Sequence, residues 1–144
     1  MDSHLVLDIK KAEGASLKAY KDSLGFWTVG YGHLLDQAKD WTTYRITKDQ
    51  AEQYLEEDLT QAQSRCIQLP EWPSLNTLCR QNALVELEFN MNGKWLKFVK
   101  ARLYIRNSLW QAAHDALLDS LWAKQVGPTR SNRLANYLLT GQYP

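Results

Sequence analysis

One short stretch interrupts a chain that otherwise reads as helix. Apolar residues recur at helical spacing on both sides of it, but Ala19–Asp22 and Phe26–Gly30 alternate with period two. Between them, Asp22-Ser23-Leu24-Gly25 reads as a hairpin turn, with Gly25 suited to positive φ. Alternation puts Phe26, Thr28 and Gly30 on one face and Trp27, Val29 and Tyr31 on the other. Glycine weakens a strand, so Gly30 and Gly32 mark close approach of backbone or ligand. The chain is therefore expected to be α+β and mostly α, with a single small antiparallel hairpin.

The helices follow from their stops and caps. Leu5, Val6 and Ile9 mark a helix from Ser3 to Glu13, ended by Gly14. Glu13 then sits at the negative end of the helix dipole, a poor place for a carboxylate that calls for a reason. Residues 36–45 read as an irregular connection anchored by Trp41 and Tyr44. Thr47-Lys48-Asp49-Gln50 is a capping box, opening a long helix to about Arg65 with Ala51, Leu55, Leu59 and Ala62 on its apolar stripe. Beyond Pro70 and Pro73, Ser74 is expected to cap a helix to Met91. Lys94 to Arg106 reads as a basic helical piece. Ser108 to Gln111 reads as a capping box for a helix to Trp122, and Thr129 as the cap of a last helix to Leu139. This divides the chain into a hairpin lobe (14–46), a linking helix (47–65) and a helical lobe (66–144 with 1–13).

Composition removes several classes of function. At 144 residues and 44% apolar content, the chain fits one domain with a real core. Cys66 and Cys79 make no disulfide framework and read as small buried hydrophobes or free thiols. No apolar run approaches the ~20 residues of a membrane span, and Met1 to His4 lacks the regions of an export signal. Folding in a cytoplasm and no membrane partner are expected. Three histidines without cysteine or carboxylate at ligand spacing predict no metal and no cofactor. Lys94, Lys97, Lys100, Arg102 and Arg106 form a strip without an acid. At a formal net charge of +1 the strip does not predict nucleic-acid binding. Trp95, Trp110 and Trp122 are expected in the core, whereas Trp27 and Tyr31 on the hairpin can stack on a sugar. Glu86 and Glu88 are expected to be solvated or locally capped, with one able to face a cleft.

Two carboxyl groups flanking a bond are what glycoside hydrolysis uses. Glu13 and Asp22, nine residues apart, offer such a pair, but with 16 acids in the chain a bare pair is weak. The wider pattern is stronger. Glu13-Gly14, Tyr20-Lys21-Asp22 and Gly25-Phe-Trp-Thr-Val-Gly-Tyr-Gly-His33 resemble the signature of the tailed-phage lysozymes, glycoside hydrolase family 24. The likeness continues through Ile46 to Glu52, through Phe89 to Gly93, and through Trp122, Pro128, Arg130 and Arg133.

This resemblance implies a lysozyme-like fold, its small hairpin lobe joined by a long helix to a helical bundle. It also implies an endolysin cutting the bond between N-acetylmuramic acid and N-acetylglucosamine in peptidoglycan. Glu13 would be the general acid, Asp22 would position or activate the water, and Thr28 would sit beside it. Arg130 would pair with the catalytic glutamate, and Tyr31, Phe89, Asn90 and Arg130 would bind substrate. Asn90 stands where the family commonly has glutamine, and helix capping is its alternative. His33 would pair structurally with Asp58. The implied enzyme is a monomer held in the host cytoplasm and released to the wall by a separate holin. A lytic transglycosylase is the alternative on the same substrate, although Asp22 and Thr28 serve a water that it does not need.

Overall fold

The computed structural model describes residues 2–144. The chain forms two compact units, Met1–Gln61 and Ala62–Pro144.

In the first unit, α1 (Ser3–Glu13) starts on Asp2, whose side chain accepts from the His4 N–H at 3.0 Å. It stops at Gly14, whose N–H reaches back to the Lys10 carbonyl at 2.9 Å. Three antiparallel strands follow in the order β1 (Ser16–Lys21), β2 (Trp27–Gly30) and β3 (His33–Leu34). The sequence predicts only two. Strand β3 is two residues long, too short to leave a period-two signal, and it pairs Leu34 with Thr28 and His33 with Val29. Strand β1 also begins three residues earlier than expected, through an irregular register between Ser16 and Tyr20.

The two faces of β2 do not divide into buried and exposed. Thr28, Val29, Gly30 and Tyr31 are all buried. Gly30 is small because α2 passes over it: a side-chain carbon there would stand 3.4 Å from the Cβ of Ala51 and the Cδ1 of Ile46. Residues 36–45 are irregular but pinned. The Trp41 indole N–H donates to the Asp36 carbonyl at 2.7 Å, and the Tyr44 and Tyr54 hydroxyls meet at 3.0 Å. The capping box forms as expected, with Gln50 N–H donating to Thr47 Oγ1 at 3.2 Å and Thr47 N–H to Gln50 Oε1 at 2.8 Å. It opens α2 (Lys48–Ile67), which buries Ala51, Leu55, Leu59 and Ala62 and carries the chain into the second unit.

The second unit is helical: α3 (Leu78–Met91), α4 (Val99–Arg106), α5 (Trp110–Leu118), α6 (Leu121–Val126) and α7 (Pro128–Thr140). Five expected boundaries move. Thr77, not Ser74, caps α3 by accepting from the Arg80 N–H, while Ser74 ends a 3₁₀ turn, Trp72–Ser74. Lys94–Lys97 is a separate 3₁₀ turn ahead of α4. The helix expected from Ser108 to Trp122 is two helices, because the Ser120 side chain caps α6 by accepting from the Ala123 N–H. Ser108 makes no cap; its φ is +56° and it precedes the helix start by two residues. Finally, Pro128 opens α7 at its first position, so Thr129 lies inside the helix.

Helix α3 is central. Residues 82–88 are buried without interruption, so the helix has no polar face over that span, and Leu78 faces solvent. Both thiols are buried.

Candidate active site

The site is built in the first unit, where α1 hands over to the sheet. Glu13 is the last residue of α1 and is half-buried. With Gly14, Ala15, Ser16 and Tyr20 it lines an open depression of about 350 Å³. Its carboxyl lies over Gly32: a side-chain carbon on Gly32 would stand 3.1 Å from Oε2. What comes close to the glycine after Tyr31 is thus a side-chain carboxyl group, not the backbone or ligand expected from sequence.

Asp22 directly follows β1 and organises the turn. Its Oδ1 accepts the N–H groups of Leu24 and Phe26, both at 2.9 Å. The Asp22 N–H also donates to the Phe26 carbonyl at 2.9 Å. One carboxylate oxygen is therefore tied to the backbone, and the group is held without help from another side chain. Thr28 is buried, and its hydroxyl donates to the Phe26 carbonyl at 2.9 Å. A hydroxyl has one proton, so Thr28 can meet a water only as an acceptor.

Tyr20 connects these groups, and the sequence reading gave it no role. It pairs across the hairpin with Thr28 and lines the depression with Glu13. Its phenol is pushed above the usual tyrosine range, first by burial, then by the negative charges of Glu13 and Asp22. Both carboxylates therefore act electrically on one hydroxyl. The available signal was its place two residues before Asp22 on the same strand.

His33 Nδ1 lies 2.8 Å from Asp58 Oδ2, and its ring stacks on Tyr54 at 3.9 Å between centroids. Tyr31 lies just after β2. It is buried, Lys10 lies over its ring at 5.5 Å, and its hydroxyl donates to Glu52 at 3.3 Å. Trp27 is half-buried, with Lys21 over its ring at 5.2 Å.

The remaining candidates lie in the second unit. Phe89 and Asn90 are half-buried near the end of α3. Asn90 Oδ1 accepts the Trp122 indole N–H at 2.6 Å, and the C-cap of α3 is Asn92. Arg130 Nε donates to Glu86 Oε2 at 3.1 Å, and Arg133 grips the same carboxylate through both terminal nitrogens, at 2.9 and 2.7 Å. Glu88 takes Arg65 at 2.8 Å. Glu86 and Glu88 are buried and ion-paired, not solvated. Helical spacing could not reveal this, because α3 is enclosed over residues 82–88 and its acids there must be neutralised from other helices.

The whole pattern, and not the acid pair alone, matches a known family model, described as phage lysozyme, over residues 10–136. The chain belongs to the phage lysozyme family. It is 34% identical over 128 residues to the endolysin of Salmonella phage P22, covering 86% of this chain and 84% of that one. It is 27% identical over 160 residues to probable T4-type lysozyme 1 of Dictyostelium discoideum, covering 92% of each. It is also 29% identical over 157 residues to the pre-baseplate central spike protein Gp5 of Enterobacteria phage T4, of which it spans 27%. The lysozyme fold expected from the signature is thus the fold observed: mostly helix, with one small three-stranded antiparallel sheet. Among the described residues, no three His, Cys, Asp or Glu side chains cluster as a metal site. No described helix is long and apolar enough to cross a membrane.

Proposed function

We propose that this phage lysozyme hydrolyses the β-1,4 bond between N-acetylmuramic acid and N-acetylglucosamine in bacterial peptidoglycan. One observation carries the reading. Glu13 lines an open depression whose Tyr20 also feels Asp22 and pairs with Thr28. A proton donor, a water-activating carboxylate and a hydroxyl acceptor thus share one small unit.

In the proposed reaction Glu13 gives its proton to the glycosidic oxygen as the bond to the anomeric carbon breaks. Water attacks that carbon. Asp22 takes one of its protons through the carboxylate oxygen not tied to the turn. Thr28 accepts a hydrogen bond from the same water and fixes its orientation, its own proton being committed to the Phe26 carbonyl. Phe89, Asn90 and Arg130 stay in the proposal as substrate-binding residues on the family resemblance alone. A single lysozyme domain acting as a monomer, released to the wall by a holin, belongs to the same reading.

The test is clearing of outer-membrane-stripped Gram-negative cells, with mass spectrometry of the fragments. Glu13→Gln is expected to lower the rate by about a hundredfold or more with folding retained. Fragments ending in anhydro-muramic acid would replace hydrolysis by transglycosylation. Full activity of Glu13→Gln would remove Glu13 from the mechanism.

A further inference from the structure

The second unit carries a surface that the proposed hydrolysis does not use. Trp95, Ala101 and Ile105 turn inward from the 3₁₀ turn and α4 and are buried. The outward side exposes Leu96 by 54%, Val99 by 69% and Leu103 by 53%. On α4, Val99, Leu103 and Arg106 follow one another a turn apart along one face. Lys94, Lys97, Lys100 and Arg106 are exposed around the aliphatic groups. No acidic residue occurs between Glu88 and Asp115.

The structure separates these cations by task. Arg102 turns back onto buried Glu71, with Nε at 2.6 Å and Nη2 at 3.1 Å, beside the Trp95 indole N–H at 3.0 Å. It is part of the interior. Lys94, Lys97, Lys100 and Arg106 make no ion pair with any described residue.

Three exposed aliphatic side chains among four uncommitted cations set the partner's chemistry. A second copy of this face would bring like charges together. A glycan or nucleic-acid polyanion would satisfy the cations but leave the aliphatic groups in water. An anionic bilayer surface satisfies both, since headgroup phosphates meet the cations and the acyl boundary takes the apolar side chains. We propose that the 94–106 surface docks the second unit on an anionic phospholipid leaflet. This departs from the expectation of no membrane partner, which rested on the lack of a spanning segment. The docking is peripheral and independent of the catalytic reading.

The test is co-sedimentation of the full chain with vesicles of phosphatidylethanolamine and phosphatidylglycerol, against phosphatidylcholine vesicles. Binding is expected only to the anionic vesicles, and to weaken with salt. K97E/K100E is expected to lower it about tenfold or more. V99S/L103S leaves the charge unchanged and is expected to lower it severalfold. Both double variants should keep the native melting temperature and the native rate on purified, lipid-free peptidoglycan. Absence of sedimentation with anionic vesicles rejects the proposal. So does binding that V99S/L103S leaves intact, because the partner would then be a polyanion recognised by charge alone.

Discussion

The carboxyl group of Glu13 lies so close over Gly32 that a methyl on the glycine would stand 3.1 Å from Oε2 and 3.2 Å from the carboxyl carbon. Gly32 is glycine for two separable reasons: this contact, and a φ of +79° that side chains disfavour. Gly93 shares only the second, with φ at +89° and nothing within 4 Å of an added carbon. Gly32→Ala and Gly93→Ala should therefore each cost about 1–2 kcal/mol of stability. Only Gly32→Ala should also displace Glu13 and lower lysis about tenfold to a hundredfold. Urea midpoints and clearing rates of the two variants, compared side by side, check this. Equal rates would show that the carboxyl does not depend on the glycine.

What the sequence discloses of this region, and what it hides, follows from the range of each signal. The Asp22–Gly25 turn and the Thr47–Gln50 capping box are made within four residues, and both are legible as spacing. Glu13, Asp22 and Thr28 stand out through a family pattern, not through their chemistry alone. Tyr20 belongs to the same pattern, but its link to Thr28 and to both carboxylates is not legible there, because it depends on strand register. The second unit misleads for the opposite reason. Its central helix is enclosed, so burial overrides periodicity, and the partners of Glu86 and Glu88 come from residues 130–133 and 65. Caps behave likewise: Ser74 and Ser108 look like caps in sequence, but Thr77 and Ser120 are the residues whose side chains meet a helix N–H.

Thr28 tests the water-positioning step. Its hydroxyl proton is spent on the Phe26 carbonyl, and what the proposed reaction uses is its lone pairs. Thr28→Ser keeps that oxygen and is expected to retain most of the activity. Thr28→Val keeps the shape but removes the acceptor. It is expected to lose lysis by about tenfold to a hundredfold, with a stability cost of about 1 kcal/mol for the lost hydrogen bond. Rates and melting temperatures of the pair decide. Serine and valine variants of equal activity would leave Thr28 a packing role only.

Glu52 predicts how the first unit responds to acid. Lys10 donates to its carboxylate at 2.8 Å and the Tyr31 hydroxyl at 3.3 Å, joining α1, the end of β2 and α2. The Lys10 hydrogen bond, above all, holds the Glu52 carboxyl below the usual glutamate range. A lowered carboxyl pKa stabilises the folded state above the unfolded glutamate value, and this stability is lost as pH falls through the lower folded value. Melting temperature should therefore drop more steeply with acid in the native chain than in Glu52→Gln, with the two curves converging at the lowest pH. Parallel curves over the acid range would remove Glu52 from the pH response.

Glu86 is the buried charge on which α7 depends. It accepts Arg130 at 3.1 Å and Arg133 at 2.7 and 2.9 Å, and solvent does not reach it. Removing one member of a buried ionic group leaves its partners desolvated and short of an acceptor, which costs more than the intact group contributes. Glu86→Ala is expected to cost about 3–5 kcal/mol. Glu86→Gln, which keeps one carbonyl acceptor and the packing, should cost less. A uniformly apolar replacement of Glu86, Arg130 and Arg133 would separate stability from function. It should recover much of the lost stability, yet it removes Arg130, which the proposed function assigns to substrate. Chemical denaturation of the three variants, with clearing rates on the same preparations, tests both halves. If the apolar triple variant regains both stability and lysis, the ionic group is dispensable and Arg130 has no part in catalysis.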